Sequence, residues 1–196
     1  MPPVASRMVP LGTSAPAFDL PATRGDRVSL DSLGRPKAIL VAFICNHCPF
    51  VKHIRDELGR LDRDFRGRGL AMVGICSNDP DRYPQDGFEA MAVEARDAGW
   101  DFPYLHDAEQ SVAKAYRAAC TPDFFLFDGE RRLAYRGQLD DSRPGNGKPV
   151  TGADLRAAIE GVLAGRPAPV NQVPVNQVPS IGCSIKWKPG HEPASD

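Results

Sequence analysis

The residues best suited to chemistry in this chain are the thiols of the segment Cys45-Asn46-His47-Cys48-Pro49. An apolar run precedes this segment and a helical pattern follows it, so Cys48 is expected at the N-cap or in the first turn of a helix. Unpaired backbone N–H groups and the positive end of the helix dipole stabilise a thiolate there. Lys52 lies one turn further along the same face and would lower the pKa of the thiol further. The sequence therefore predicts that Cys48 is a nucleophile, the alternative being a small buried apolar residue.

Two neighbours of Cys48 are candidates for a part in this chemistry. Cys45 lies three residues earlier, and a turn can bring two Cα atoms at that separation within disulfide range. His47 adjoins the thiol, but adjacent side chains point apart, so a passive position is favoured over a direct role. The chain has five cysteines, an odd number, so at least one thiol has no partner within the chain.

Metal binding is a second chemistry open to these thiols. Zinc prefers four Cys or His ligands in a tetrahedral arrangement, and C-x-x-C is a common half-site. The sequence contains no second C-x-x-C, and the later Cys120 and Cys183 are isolated. We therefore favour redox chemistry over a metal-binding or sensor protein, and predict neither a metal nor an organic cofactor.

The composition is that of an ordinary globular protein. Of 196 residues, 42% are hydrophobic and 25% are charged, which argues against a disordered chain. Lys and Arg number 24 against 25 Asp and Glu, so the net charge of −1 gives no case for binding nucleic acid or an anionic membrane. The longest apolar run, Ala38–Cys45, is too short to span a bilayer. Residues 1–12 lack the apolar core of a signal peptide, so a cytoplasmic location is expected.

The elements on either side of Cys48 are the clearest in the sequence. Ala38–Ile44 is apolar at every position, as in a central strand of a parallel sheet that is buried on both faces. A helix then begins at Pro49, which suits the first helical position, and ends near Gly67. Its apolar stripe has three- and four-residue spacing and consists of Phe50, Val51, Ile54, Leu58, Leu61 and Phe65.

Strands and helices alternate through the rest of the chain. A hairpin over residues 18–30 comes first, and a second hairpin turns at Asp128-Gly129. The elements expected after the first helix are the strand Leu70–Cys76, a helix opened by an Asp86/Glu89 capping box, the strand Phe102–Leu105, the helix Ser111–Ala118, the hairpin strands Phe124–Phe127 and Arg132–Arg136, and a helix from Thr151 to Gly165. This order predicts an α/β fold with a mainly parallel sheet covered on both faces.

The chain divides into residues 1–165, predicted to form one redox domain, and a Pro-rich tail over residues 166–196. The tail has no helical or strand periodicity and repeats V-N-Q-V-P at Val170–Pro174 and Val175–Pro179. The segment that follows the repeat is too apolar to be a free tail. We therefore expect Ile181, Ile185 and Trp187 to pack against the domain.

Residues 16–164 resemble the thioredoxin superfamily in its redoxin branch, the alkyl hydroperoxide reductase/thiol-specific antioxidant group. The resemblance is carried by A-P-A-F-D-L at residues 15–20, V-A-F-I-C-N-H-C-P-F-V-K at 41–52 and T-P-D-F-F-L-F-D at 121–128. Together with P-S-I-G-C-S-I-K-W at 179–187, these segments resemble a bacterial subgroup of peroxiredoxin-like thioredoxin-family proteins. The resemblance implies a thioredoxin-like fold with an N-terminal hairpin, an inserted α-β unit at about residues 86–105 and a docked C-terminal tail.

The resemblance also implies roles for individual residues. Cys48 matches the nucleophilic cysteine, and Cys45 stands where a peroxiredoxin would have threonine. Thr121-Pro122 resembles the cis-proline loop that holds an incoming disulfide or extended peptide beside the thiol. Cys120 adjoins this loop and is either a redox partner or a packing residue. We expect Cys120 and Lys52 to line the substrate-binding site together with this loop.

The resolving thiol and the reaction remain open between alternatives. Cys183 lies in the tail, where redoxins can carry a resolving thiol, so Cys45 and Cys183 are both candidates. We expect a thiol-disulfide oxidoreductase that acts on a disulfide and is reduced by a thiol reductant such as a thioredoxin-type donor. The alternative is an antioxidant peroxidase that reduces a hydroperoxide at the same cysteine.

Overall fold

The structure is a computed structural model that describes residues 3–166 and 177–193. Its strands are β1 (Val4–Ala5), β2 (Asp19–Pro21), β3 (Arg27–Ser29), β4 (Ala38–Phe43), β5 (Leu70–Cys76), β6 (Tyr104–His106), β7 (Cys120–Thr121), β8 (Asp123–Asp128), β9 (Leu133–Tyr135) and β10 (Ile181–Ser184). Its helices are α1 (Pro49–Arg66), α2 (Phe88–Asp97), α3 (Ser111–Tyr116) and α4 (Ala153–Leu163). Among these residues, no helix has the length and apolar character needed to cross a membrane.

The central sheet has the strand order β6-β5-β4-β8-β9. β4 pairs parallel with β5 and antiparallel with β8, and every residue of β4 is buried. Side chains alternate between the two faces of a strand, so Leu40 and Ala42 join the core that contains α1, whereas Ile39 and Val41 join the core on the other face. This two-sided burial explains why the sequence of β4 is apolar throughout, and the predicted α/β class is confirmed. The sheet is mixed rather than mainly parallel, because β8 pairs antiparallel with both β4 and β9.

Helix α1 begins directly after β4 and positions the thiols. Pro49 is its first residue, Cys48 is its N-cap with extended backbone, and the helix ends at Arg66 with Gly67 as C-cap. The predicted stripe of α1 packs into the core through buried residues that include Val51, Ile54 and Leu58. The predicted helix and its start are therefore confirmed.

The capping box predicted at Asp86 and Glu89 is wrong. Helix α2 begins after Gly87, and no side chain caps its N-terminus. Asp86 instead ends a short 3-10 turn, Pro84–Asp86, and its carboxylate accepts hydrogen bonds from the segment that contains the thiols. Glu89 is exposed. The pattern D-x-x-E fits a capping box locally, but the Asp86 carboxylate instead accepts hydrogen bonds from Asn46 and His47, which lie far away in the sequence.

The tail folds back as a strand, which its sequence pattern did not predict. β10 lies between β1 and β7 in a three-stranded antiparallel sheet. Ile185 is buried and Trp187 packs against the core, as expected, whereas Ile181 is 38% exposed, against expectation. Most of the V-N-Q-V-P repeat lies outside the described residues. The domain boundary at residue 165 stays a prediction.

Candidate active site

Cys48 sits at the junction between β4 and α1 and is fully buried. In the thiol form its Sγ donates to the carbonyl oxygen of Thr121 at 3.1 Å. The pKa of Cys48 is lowered to about 5, mainly by a hydrogen bond from the Cys45 thiol, against the opposing effect of burial. The hydroxyl of Thr121 and the side chain and backbone of Cys183 lower the pKa further. The site therefore stabilises a thiolate through neutral hydrogen-bond donors.

Cys45 is the buried donor to this thiolate. Its pKa is raised well above the ordinary value, first by the hydrogen bond to Cys48 and then by burial and by the charge of Asp86. Its Sγ also lies 3.4 Å from Oγ1 of Thr121. Cys45 therefore stays a thiol while Cys48 is ionised. The pair holds one proton, which lies on Cys45 and is donated to the Cys48 thiolate.

Cys183 reaches Cys48 from the tail. Strand β10 pairs with β7 so that Cys183 lies opposite Thr121. Burial and the hydrogen bond with Cys48 raise the pKa of Cys183 to about 11. Cys183 is half-buried, whereas the other cysteines, all within the described residues, are buried. The structure thus brings together Cys48 and both of its predicted partners.

The Thr121-Pro122 peptide bond is cis, as the resemblance implied. Both residues are buried, and Thr121 contacts both Cys45 and Cys48. The predicted loop therefore lies directly beside the thiols. Its part in binding a substrate stays a prediction.

Cys120 and Cys76 are buried away from solvent, whereas Lys52 is exposed. Cys120 is buried, with its Sγ 3.9 Å from Oγ of Ser6 and 3.5 Å from the carbonyl oxygen of Pro122, and burial raises its pKa. Burial also raises the pKa of Cys76 to about 12, in keeping with a core residue. Lys52 is exposed on α1, and the contacts that lower the Cys48 pKa most are those with Cys45 and Thr121. Roles for Cys120 and Lys52 in substrate binding stay predictions.

Asp86 is the residue of this site that the sequence analysis missed. It is fully buried and accepts hydrogen bonds from the backbone N–H groups of Asn46 and His47, from Nδ1 of His47 and from Nδ2 of Asn78, at 2.5–3.2 Å. The His47 ring also stacks on Tyr83 at a centroid distance of 5.3 Å. The available signal was positional, because residues 77–86 follow the carboxyl end of β5, where open α/β sheets place their sites.

These side chains also form a possible metal-ligand group. Cys45 Sγ, a ring nitrogen of His47 and a carboxylate oxygen of Asp86 lie within 4.8 Å of one another. A metal ion there would have to displace the hydrogen bond between Asp86 and His47 and the proton that Cys45 donates to Cys48. The arrangement therefore suits a hydrogen-bond network better than a metal centre.

Comparison with known proteins finds one matching family and several relatives of this chain. The model of the AhpC/TSA family matches residues 11–136. A candidate peroxiredoxin of Mycobacterium tuberculosis is 35% identical over 122 residues, which are 58% of this chain and 66% of that protein. The crystal structure of a conserved protein of Geobacillus kaustophilus is 53% identical, with a TM-score of 0.91, over 97% of this chain and 98% of that one.

More distant structures show the fold alone. The thioredoxin domain of a thiol-disulfide oxidoreductase from Bacteroides vulgatus superposes with a TM-score of 0.62 at 18% identity, covering 79% of this chain and 99% of that domain. The described residues therefore have a thioredoxin-like fold.

Proposed function

The chain belongs to the AhpC/TSA family, in the redoxin branch of the thioredoxin superfamily, and we propose that it is a thiol-disulfide oxidoreductase with Cys48 as nucleophile. The observation that carries this proposal is the grouping of one thiolate, Cys48, with two protonated thiols, Cys45 and Cys183. A thiolate is the attacking form of cysteine, and a nearby thiol can resolve the bond that it makes.

The reaction begins with attack of the Cys48 thiolate on one sulfur of a substrate disulfide. A new S–S bond forms to Cys48, and the second substrate sulfur leaves as a thiolate and takes a proton from solvent. Cys45 then loses its proton and attacks Sγ of Cys48, which expels the first substrate sulfur as a thiolate. The substrate has gained two electrons, and the protein has gained a Cys45–Cys48 disulfide.

Cys183 is the alternative resolving thiol. It also contacts Cys48 and would leave a Cys48–Cys183 disulfide by the same exchange. An external thiol reductant of the thioredoxin type then restores the dithiol in either case. We propose that this cycle runs in the cytoplasm, where thiol reductants keep dithiols reduced.

Hydroperoxide reduction at the same thiolate is the second candidate. The observation in its favour is the mycobacterial relative named as a candidate peroxiredoxin. In this reaction the Cys48 thiolate attacks one oxygen of the peroxide, the O–O bond breaks, and the other oxygen leaves and takes a proton from solvent to form an alcohol or water. Cys48 is then a sulfenic acid, and a second thiol attacks its Sγ and expels water as the disulfide forms.

The proposal is tested by mixing reduced protein with a small disulfide and following the thiol that is released. Wild-type protein should react rapidly, and Cys48→Ser should lose this fast phase. Cys76→Ala is the matched control, because Cys76 is a buried core cysteine whose pKa is raised to about 12. A Cys48→Ser variant that reacts as fast as wild type would contradict the assignment.

A further inference from the structure

We propose that Cys48 acts on small oxidants and excludes extended polypeptides, because the chain's own strand β10 occupies the sheet edge beside the thiol. This inference rests on the proposed function and specifies its substrate class. It also revises the expectation that the Thr121-Pro122 loop receives an extended peptide.

The edge in question belongs to β7. An extended peptide binds to a sheet by adding a strand to an edge with free backbone groups. In this protein β10 makes that pairing, with Cys183 opposite Thr121 and Ser184 opposite Cys120. The edge next to Cys48 is therefore already filled by a strand of the same chain.

The contact between β10 and the loop leaves no space for a further strand. A Cβ atom on Gly182 would lie 2.0 Å from the carbonyl oxygen of Thr121. Neighbouring strands need about 4.7–4.9 Å between their backbones. An extended polypeptide that binds by adding a strand to β7 beside the buried Cys48 must therefore first displace β10.

β10 is anchored before and after its paired residues. On its N-terminal side, the backbone N–H of Ser6 donates to the carbonyl oxygen of Ser180 at 2.8 Å, and Oγ of Ser180 donates to the carbonyl oxygen of Gly137 at 2.9 Å. On its C-terminal side, the backbone N–H of Lys186 donates to Oδ1 of Asn78 at 2.8 Å. Displacement of β10 would break these bonds together with its pairing to β1 and β7.

The cavity adjoining the closed edge is also small. It lies among residues that include Phe50, Pro122 and Ile181, and its volume is about 20 Å³. That volume accommodates roughly one water molecule. This space beside Pro122 is too small for a bulky peptide side chain.

The test compares two oxidants that share a leaving group. One is bis(2-hydroxyethyl) disulfide, and the other is a peptide of about ten residues whose central cysteine carries a 2-hydroxyethyl mixed disulfide. Stopped-flow measurements give the second-order rate of each with the reduced full-length protein. We expect the small disulfide to react at least about tenfold faster than the peptide.

A variant that disturbs β10 tests the cause. Gly182→Val places a side chain against Thr121 and should raise the peptide rate about tenfold or more, with a smaller change for the small disulfide. Val178→Ser is the matched control, because Val178 is 54% exposed in the same tail segment; both of its rates should equal those of wild type. Gly182→Ala, with a smaller clash, replaces Gly182→Val if near-UV circular dichroism shows that the latter has lost its fold.

The outcomes separate the inference from the function beneath it. A wild-type protein that reacts with the peptide as fast as with the small disulfide overturns the inference and leaves the proposed function standing. A folded Gly182 variant with no gain in peptide rate also overturns it. A wild-type protein that reacts with neither disulfide contradicts the proposed function itself.

Discussion

Asp86 accepts hydrogen bonds from both the backbone N–H and the imidazole Nδ1 of His47, at 3.2 and 2.5 Å. His47 lies between the two thiols of the C-x-x-C segment, and Asp86 lies 39 residues later in the chain. One buried carboxylate therefore fixes the loop from which Cys48 enters α1. Asn46 of the same loop also donates to the carbonyl oxygen of Gln85 and accepts from the hydroxyl of Tyr104, so long-range contacts hold this loop.

Replacement of Asp86 by Ala should destabilise the protein by about 3 kcal/mol, because one buried and two part-buried donors lose their acceptor. The change leaves the N–H groups of Asn46 and His47 and the amide of Asn78 without their acceptor, and each buried group left unpaired costs about 1–3 kcal/mol. Urea unfolding of the reduced protein measures the loss. Glu89→Ala is the control, and as an exposed change it should stay within about 0.5 kcal/mol of wild type. Equal losses of unfolding free energy in the two variants would instead support the capping box that the sequence predicts.

The sequence predicted those parts of the site that depend on local patterns. The apolar run of β4, Pro49 and the stripe of α1 together placed Cys48 at a helix N-terminus, because each signal comes from neighbouring residues. Asp86 was misassigned because a local motif matched it equally well while its real partners are distant. β10 was missed because it is a strand through pairing on both of its edges rather than through alternation of its side chains.

The alkylation rate of Cys48 should rise with pH around a midpoint of about 5. Because the pKa is lowered, the thiolate is already the main form at neutral pH. Cys45→Ala removes the strongest donor to that thiolate and should move the midpoint up toward the ordinary value of roughly 8.5. Iodoacetamide rates measured across this pH range give both midpoints, with Cys76→Ala as control. An unchanged midpoint in Cys45→Ala would show that another group stabilises the thiolate.

The same lowered pKa should make stability depend on pH. Cys48 has a lower pKa in the folded protein than in the unfolded chain, so its ionisation stabilises the folded state fully above roughly pH 8.5. That stabilisation is lost as the pH falls toward about 5. The difference in unfolding free energy between reduced wild type and Cys48→Ala should therefore grow in favour of wild type from pH 5 to pH 8. A difference that does not vary with pH would contradict the ionisation.

Oxidation should produce mainly a Cys45–Cys48 disulfide, because the Cys45 thiol makes the largest hydrogen-bond contribution at Cys48. Trypsin leaves both cysteines in the peptide Ala38–Lys52, so this disulfide appears as a loss of two hydrogen masses from one peptide. A Cys48–Cys183 disulfide would instead join that peptide to one from the tail. Cys183→Ser should leave the Cys45–Cys48 product unchanged. A dominant Cys48–Cys120 disulfide would exclude both partners, although the contacts of Cys120 with Ser6 and Pro122 argue against it.

Cys48 should exchange with a small disulfide faster than it reduces hydrogen peroxide at equal concentration. The donors around its sulfur are the thiols of Cys45 and Cys183, the hydroxyl of Thr121 and a backbone N–H, and thiols are weak donors to a developing oxyanion. A well-placed donor to such an oxygen is worth about 3–4 kcal/mol, or roughly two to three orders of magnitude in rate. The leaving group of a disulfide is a thiolate, which needs less stabilisation by hydrogen-bond donors than an oxyanion does.

Stopped-flow mixing of the reduced protein with each oxidant gives the two second-order rates, and Cys48→Ser should lose both reactions. Cys45→Thr places a hydroxyl where the peroxiredoxin pattern has one. It should therefore raise the peroxide rate while lowering the yield of intramolecular disulfide. A wild-type peroxide rate several orders of magnitude above that of free thiols, with the disulfide unreactive, would make peroxidase the principal activity. It would also show that the thiols and the Thr121 hydroxyl are sufficient donors for O–O cleavage.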